Sequence, residues 1–423
     1  MTGSLSLYRL GTRLLEPAVP MLVRRRLKAG KERAERISER FGQTKVARPE
    51  GALLWMHGAS VGECRLLLDV FTAIKKKRPD LTALVTSQTL TSADMVSAWA
   101  TRGVIHQMAP VDAPGAVSRF LSYWKPDGVV FAEGEIWPNM LAGIKQRGAH
   151  AALINARMTA KTLNSWKKRP AAAKEVFSTF GFIGAADMAT AEGLTAATGR
   201  KIKTIGNLKI AAPVQAPPQS DVTAFRMAVD MRPIVLAAST HPGEDEFALD
   251  AFMQLRSSMP NAMLILVPRH PDRGTSIVGT ARTRGFNVQQ WSNTKSPPSA
   301  RIDVLVADTI GELMFWYAVA NAVYLGGATA EGIGGHNPIE PAQLGKRVFT
   351  GPFGFNFRET FDTLEKLGAL QIGTEPRQLS DWWASEAGAT TASPVLKSFF
   401  EATRTEFDAT VAAILSMLDK RSR

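Results

Sequence analysis

Hydrophobic and polar positions follow two different rhythms along this chain of 423 residues. Near the start, at about 100° per residue, Leu7, Leu10, Leu14, Ala18, Met21 and Leu22 share one face and Arg9, Arg13, Glu16 and Arg24 the other. The pattern predicts an amphipathic helix that Pro17 and Pro20 break or kink. A bilayer-spanning helix needs about 20 predominantly apolar residues. Here Arg9, Arg13 and Glu16 interrupt the run, and Arg24-Arg25-Arg26 and Lys28 follow it. The segment reads either as a helix lying in the interface of an anionic membrane or as one packed on its own domain. No small-residue cleavage site marks an export signal.

From Gly51 onward short apolar runs take over, at 53–56, 81–86, 104–107, 128–132, 151–154, 182–185 and 202–205, with helical patterns between most of them. Such alternation predicts a parallel, doubly wound α/β sheet. The rhythm lapses in the proline-rich stretch 211–220 and restarts at 234–238, 263–267, 304–307, 322–325 and 348–350. The expected division is a membrane-interface segment 1–28, a Rossmann-like domain 29–210, a linker 211–220 and a second Rossmann-like domain 221–423. Ligand sites are expected at the carboxyl ends of the strands and in the cleft that the two domains face.

Composition narrows the partners. A hydrophobic content of 45% with 21% charged residues suits a globular protein. The formal net charge of +13 points to a polyanion: nucleic acid, an anionic membrane or a phosphorylated substrate. No concentrated basic and aromatic segment supports nucleic acid. A single cysteine, Cys64, excludes an internal disulfide framework, and no CxxC or HExxH metal motif occurs.

Candidate chemistry collects where strands end. Residues 57–65, HGASVGECR, place Glu63 in the first turn of a helix, as a proton acceptor or as an acid that complements the helix dipole. In FAEGEIWPN, 131–139, Glu133 and Glu135 follow a strand, as two carboxylates that could bind metal, though no third ligand is suitably spaced, or as caps of the next helix. Lys209, in IGNLKI, lies beside the expected domain boundary, facing a cleft or simply solvent. Pro268 and Arg269 leave a buried-looking strand, where a guanidinium can fork onto phosphate. In DTIGEL, Gly311 allows close approach and Glu312 can accept from sugar hydroxyls; alternatively Asp308 or Thr309 simply caps the next helix. Residues 324–352 read as strand, glycine-rich turn, helix and strand. Their backbone N–H groups are expected to approach a phosphate, with Asn337 as N-cap, Pro338 at the first helical position and Glu340 as a capping-box acid.

In order and spacing, HGASVGE, E-x-E-x-WPN, NAR (155–157), GNLK, ASTHPGEDE, VPRHP, DTIGEL, GGHNPIEP and GPFGFNFRE resemble the motif series of the 3-deoxy-D-manno-octulosonic acid (Kdo) transferases, over roughly residues 50–370. The resemblance implies a GT-B glycosyltransferase that moves Kdo from CMP-Kdo onto the tetraacylated lipid A precursor. The reaction inverts the sugar and uses neither metal nor cofactor. It implies a peripheral or monotopic place among anionic lipids at the cytoplasmic face of the bacterial inner membrane. It further implies Glu63 as general base, Glu133 and Lys209 as transition-state stabilisers, and CMP binding by Pro268, Arg269, Ile310, Gly311, Glu312, Asn337, Pro338, Ile339 and Glu340. A uridine-nucleotide transferase or epimerase of the same architecture is the rival enzyme reading; a basic nucleic-acid or membrane-binding module is the rival outside enzymes.

Overall fold

Apolar runs that would be insoluble as exposed strands are covered on both faces. In the computed structural model, which describes residues 3–211, 214–387 and 393–419, fourteen strands form two seven-stranded parallel sheets. The first holds β1 (Leu53–His57), β2 (Thr82–Ser87), β3 (Val104–Met108), β4 (Gly128–Ala132), β5 (His150–Ala156), β6 (Phe180–Ala185) and β7 (Lys203–Thr204), in the order β3-β2-β1-β4-β5-β6-β7. The second holds β8 (Ile234–Thr240), β9 (Met263–Pro268), β10 (Val288–Gln290), β11 (Val304–Val306), β12 (Ala322–Leu325), β13 (Val348–Thr350) and β14 (Leu370–Ile372), in the order β10-β11-β9-β8-β12-β13-β14. The two-domain, doubly wound α/β architecture is therefore as expected.

Side-chain alternation builds a core on each face of each sheet. In β1, Leu53 and Trp55 join one cluster while Leu54 and Met56 join the other. In β8, Val235 and Ala237 divide in the same way from Leu236 and Ala238. Strand order reverses between β1 and β4 and again between β8 and β12. At such a reversal the crossover helices leave on opposite faces, opening a crevice at the carboxyl ends of the strands.

The chain divides into two units, Met1–Ala212 with Ala402–Arg423, and Pro213–Glu401. This corrects the expected division at 221–423. The final helix, Pro394–Asp419, begins in the second unit, where Leu396 is buried. It ends in the first, where Phe407, Val411, Ile414 and Leu418 complete the core face beneath Leu54 and Met56. No sequence pattern reveals which unit an apolar helix face will cover.

At the N-terminus the prolines divide the amphipathic segment, giving helices Gly3–Leu15 and Val19–Lys28 joined by a 3-10 turn over Glu16–Ala18. Its apolar face stays in solvent: Leu7, Leu10, Leu14, Met21 and Leu22 are each more than half exposed. The opposite side is tied to the first unit, Tyr8 Oη donating to Asp112 and Glu16 accepting from the Gly115 amide. Among the described residues no helix is long and apolar enough to cross a membrane.

Candidate active site

In the first unit, the turns after β1 and β4 flank the strand-order reversal. The turn after β1 enters the helix Val61–Lys77 with Ser60 as its N-cap. The Ser60 hydroxyl donates to Glu63 Oε1 at 2.7 Å, and the Glu63 amide donates back to Ser60 Oγ at 3.3 Å. Glu63 Oε2 accepts from the Ala59 amide at 2.9 Å. The two readings of Glu63 are thus compatible, because a carboxylate has about four lone-pair sites and these bonds use two. Only 8% of Glu63 is exposed. Burial pushes its carboxyl above the usual range; the bonds from Ser60 and Ala59 oppose this, and the charges of Glu133 and Glu135 add to it. A carboxylate held so is a better proton acceptor than a free one.

After β4 the backbone turns sharply, with Glu133 in the left-handed region at φ 54°. That turn aims its carboxylate at the Lys209 ammonium, 2.5 Å away. Asn155, at the end of β5 and also left-handed at φ 51°, donates Nδ2 to Glu133 at 3.2 Å and accepts from the Leu208 amide at 2.9 Å. Lys209 also lies beside the first turn of the helix that carries Glu63: a Cβ on Gly62 would lie 3.4 Å from its Nζ. The structure therefore brings Glu63, Glu133 and Lys209 to one crevice. Asn155 is the member that sequence reasoning missed.

A second omission lies beneath them. His57, fully buried at the end of β1, meets Glu135 Oε2 through Nε2 at 3.1 Å and Thr86 Oγ1 through Nδ1 at 2.8 Å. Trp55 Nε1 can only donate, and it donates to that same Thr86 oxygen at 2.8 Å. The Glu135 carboxylate only accepts, so the ring hydrogen on Nε2 faces it, and in the neutral ring Nδ1 accepts from the Thr86 hydroxyl. Burial works against the Glu135 charge, but His57 and Trp137 outweigh it and hold the carboxyl below its usual range. Next door, Cys64 is packing: burial pushes its thiol up to about 12.

In the second unit, the turns after β8, β9 and β12 carry His241, His270 and His336. The His241 and His336 rings stack, with centroids 5.1 Å apart and Nε2 atoms at 2.9 Å, and His270 meets His241 edge-on. Pro268 closes β9 and Arg269 follows it, exposed. Burial, then His241, Arg269 and His270, push His336 down to about 4. Cationic and imidazole groups thus crowd the strand ends, as an anion site requires.

The glycine-rich turn differs from expectation. The Gly327 amide donates to Glu244 at 2.7 and 2.8 Å and the Thr329 amide at 3.0 Å. Those two N–H groups serve the protein's own buried carboxylate, which also takes the His241 amide at 3.0 Å. Further on, Asn337 accepts from the Ile339 amide at 3.1 Å, but the helix is Ile339–Gln343, so Pro338 stands one place before its first residue. Ile339 is buried and Glu340 half-buried in that first turn. Gly311 is left-handed at φ 91°, Ile310 is 87% exposed, and Glu312 accepts from Trp291 Nε1 at 3.0 Å and from the Thr309 hydroxyl. Asp308 does not cap the following helix; it holds Gln290 and Ser292. Among the described residues no group of three His, Cys, Asp or Glu is arranged to hold a metal ion.

Residues 35–212 match a family model described as 3-deoxy-D-manno-octulosonic-acid transferase (kdotransferase). A probable mitochondrial 3-deoxy-D-manno-octulosonic acid transferase of Arabidopsis thaliana is 31% identical over 86% of this chain and 83% of its own. The 3-deoxy-D-manno-octulosonic acid transferase of Haemophilus influenzae is 31% identical over 80% of each chain. Among solved structures, the C-terminal CMP-Kdo binding domain of WaaA from Acinetobacter baumannii is 27% identical, covering 47% of this chain and 96% of that one, with a TM-score of 0.38. With relatives of this identity matched over most of their length and its strand-end motifs in place, the chain belongs to the Kdo transferases, and its activity is that of a Kdo glycosyltransferase.

Proposed function

We propose that the protein transfers Kdo from CMP-Kdo to the tetraacylated lipid A precursor, with inversion, without metal or cofactor, and with Glu63 as general base. The observation that carries this reading is the buried Glu63 carboxylate beside the Lys209–Glu133 pair. As an acceptor hydroxyl forms its bond to the anomeric carbon of Kdo, its proton passes to Glu63. The bond from that carbon to the CMP phosphate breaks, and the phosphate oxygen keeps the electron pair. Glu133 and Lys209 balance charge around the attacking oxygen. Arg269 and the imidazoles of the second unit suit the nucleotide phosphate, together with Pro268, the 310–312 turn and the 337–340 turn.

Membrane attachment belongs to the same proposal. The exposed leucines of the first helix, the basic run at 24–28 and the charge of +13 suit an anionic leaflet at the cytoplasmic face of the inner membrane. The test is mass spectrometry of the lipid after incubation with CMP-Kdo, with and without a chelator. A mass gain of whole Kdo units in both samples supports the reading. Transfer only to other acceptors overturns the lipid, and loss of transfer on chelation overturns the metal-free route.

A further inference from the structure

A cavity of about 320 Å³ lies within the first unit between the N-terminal helix Gly3–Leu15 and the helices Pro138–Gln146 and Pro170–Phe177. It is partly open to solvent, and apolar wall left exposed in this way favours an apolar ligand. Much of its wall is aliphatic, from Leu5, Leu141, Ala142 and Val176, and its charged lining residues are the cations Arg9 and Lys145 and the acid Glu175.

Two features say what fits. One wall is the helix that exposes Leu7, Leu10 and Leu14, so an acyl chain leaving a bilayer reaches the cavity along apolar surface. The opposite wall begins at Pro138, three residues after Glu135, whose carboxylate takes the Trp137 indole at 2.7 Å. The cavity therefore runs along a helix of nine residues, about 13 Å, whose first residue, Pro138, directly follows the 133–137 turn. A sugar held beside that turn would run its chain along this space.

We propose that this cavity binds one acyl chain of the glycolipid acceptor and so recognises the acceptor beyond its sugar. The inference rests on the lipid-acceptor reading above. Each buried methylene contributes about fourfold in affinity, so even a partly inserted chain matters.

The test uses the full-length protein in anionic vesicles and a lipid A precursor carrying a photoactivatable diazirine at an acyl terminus. Labelling of peptides from 138–146 or 175–179 is expected, and its loss in Ala142→Trp, which fills the cavity. The ratio of kcat/KM for the acylated acceptor to that for its deacylated sugar should fall at least tenfold in that variant. Thr179→Phe fills from the other wall and serves if Ala142→Trp does not fold. A diazirine phospholipid in the same vesicles should label only the exposed face of residues 3–15. Equal labelling of the cavity by both probes means ordinary bilayer lipid fills it, and overturns the proposal. So does an unchanged ratio in a folded variant. Failure of the transfer reading is distinct: wild-type protein would then add Kdo to neither acceptor, whatever the labelling pattern.

Discussion

Lys209 closes on Glu133 at 2.5 Å, and the closure depends on Asn155, which bonds both the carboxylate and the backbone that presents the lysine. Three residues from three strand ends thus act as one body. Lys209→Ala removes a charge-assisted contact worth about 1.5–3 kcal/mol, so kcat/KM should fall roughly 10- to 150-fold. Asn155→Ala should lower it too, and the double variant should lose less than the product of the two. Independent, multiplying losses would show that the three do not work together.

Glu63 is asked to cap a helix and to take a proton, and two variants separate these tasks. Glu63→Gln should lower transfer by about 10²–10⁴ while costing the fold only about 0.3–1 kcal/mol. Ser60→Ala keeps the base and loses the cap, so it should lose about 1 kcal/mol of stability and far less transfer than Glu63→Gln. Melting temperature and transfer rate on the same preparations decide. A folded Glu63→Gln protein with near-normal transfer would end the assignment.

The acid side of the pH–rate profile should report Glu63. A base must be ionised, so activity falls as pH drops through its pKa, which burial chiefly, and the charges of Glu133 and Glu135, have raised. Glu135→Gln removes one of those charges, so the acid limb should move to lower pH. An unmoved limb would place its titration on another group.

Stability should carry a separate acid dependence from His106 on β3. Its Nδ1 meets the Arg36 guanidinium at 2.8 Å and its Nε2 the Ser87 hydroxyl at 2.9 Å. Arginine only donates, so Nδ1 accepts and the folded ring is neutral. Burial, then Arg36 and Arg40, push its pKa down to about 3. The unfolded chain takes up this proton at a higher pH than the folded one, so stability falls as pH drops below about 6.5. Between pH 6.5 and 5 the loss from this group is about 1–2 kcal/mol. Urea unfolding of wild type and His106→Gln over that range should show a flatter dependence in the variant.

Membrane attachment through the first helix predicts that Leu7→Gln, Leu10→Gln and Leu14→Gln together release the protein from anionic vesicles without lowering its melting temperature. Their side chains are 69%, 55% and 72% exposed, so the fold hardly uses them. Sedimentation with vesicles at low and high salt checks this. Undiminished binding would put attachment elsewhere.

Much of this was legible because parallel strands advertise themselves as apolar runs and their carboxyl ends as polar turns. Glu63, Glu133 and Lys209 were found that way. His57 and Asn155 stand in the HGASVGE and NAR motifs but drew no role, because each sits within the closing residues of a strand, β1 or β5. Their value comes from partners 78 and 22 positions away. Glu244 was hidden more deeply. A first-turn acid in GEDE suggests helix capping, and only the folded chain reveals that it spends its charge on amides of the 327–329 turn. Strands β10 and β14, three residues each, are too short for a periodicity to register.

The final helix has a consequence for how the protein is made. Phe407, Val411, Ile414 and Leu418 leave the ribosome after the whole second unit, yet the first unit needs them to seal one face of its sheet. At about 5–20 residues per second, that unit waits roughly ten to forty seconds with an open apolar slot while the second is synthesised. In topological terms the second unit is an insertion within the first. Grafting a different second unit therefore takes two splices, near 212 and 401; one cut at the proline-rich stretch would leave the first unit without its closing helix.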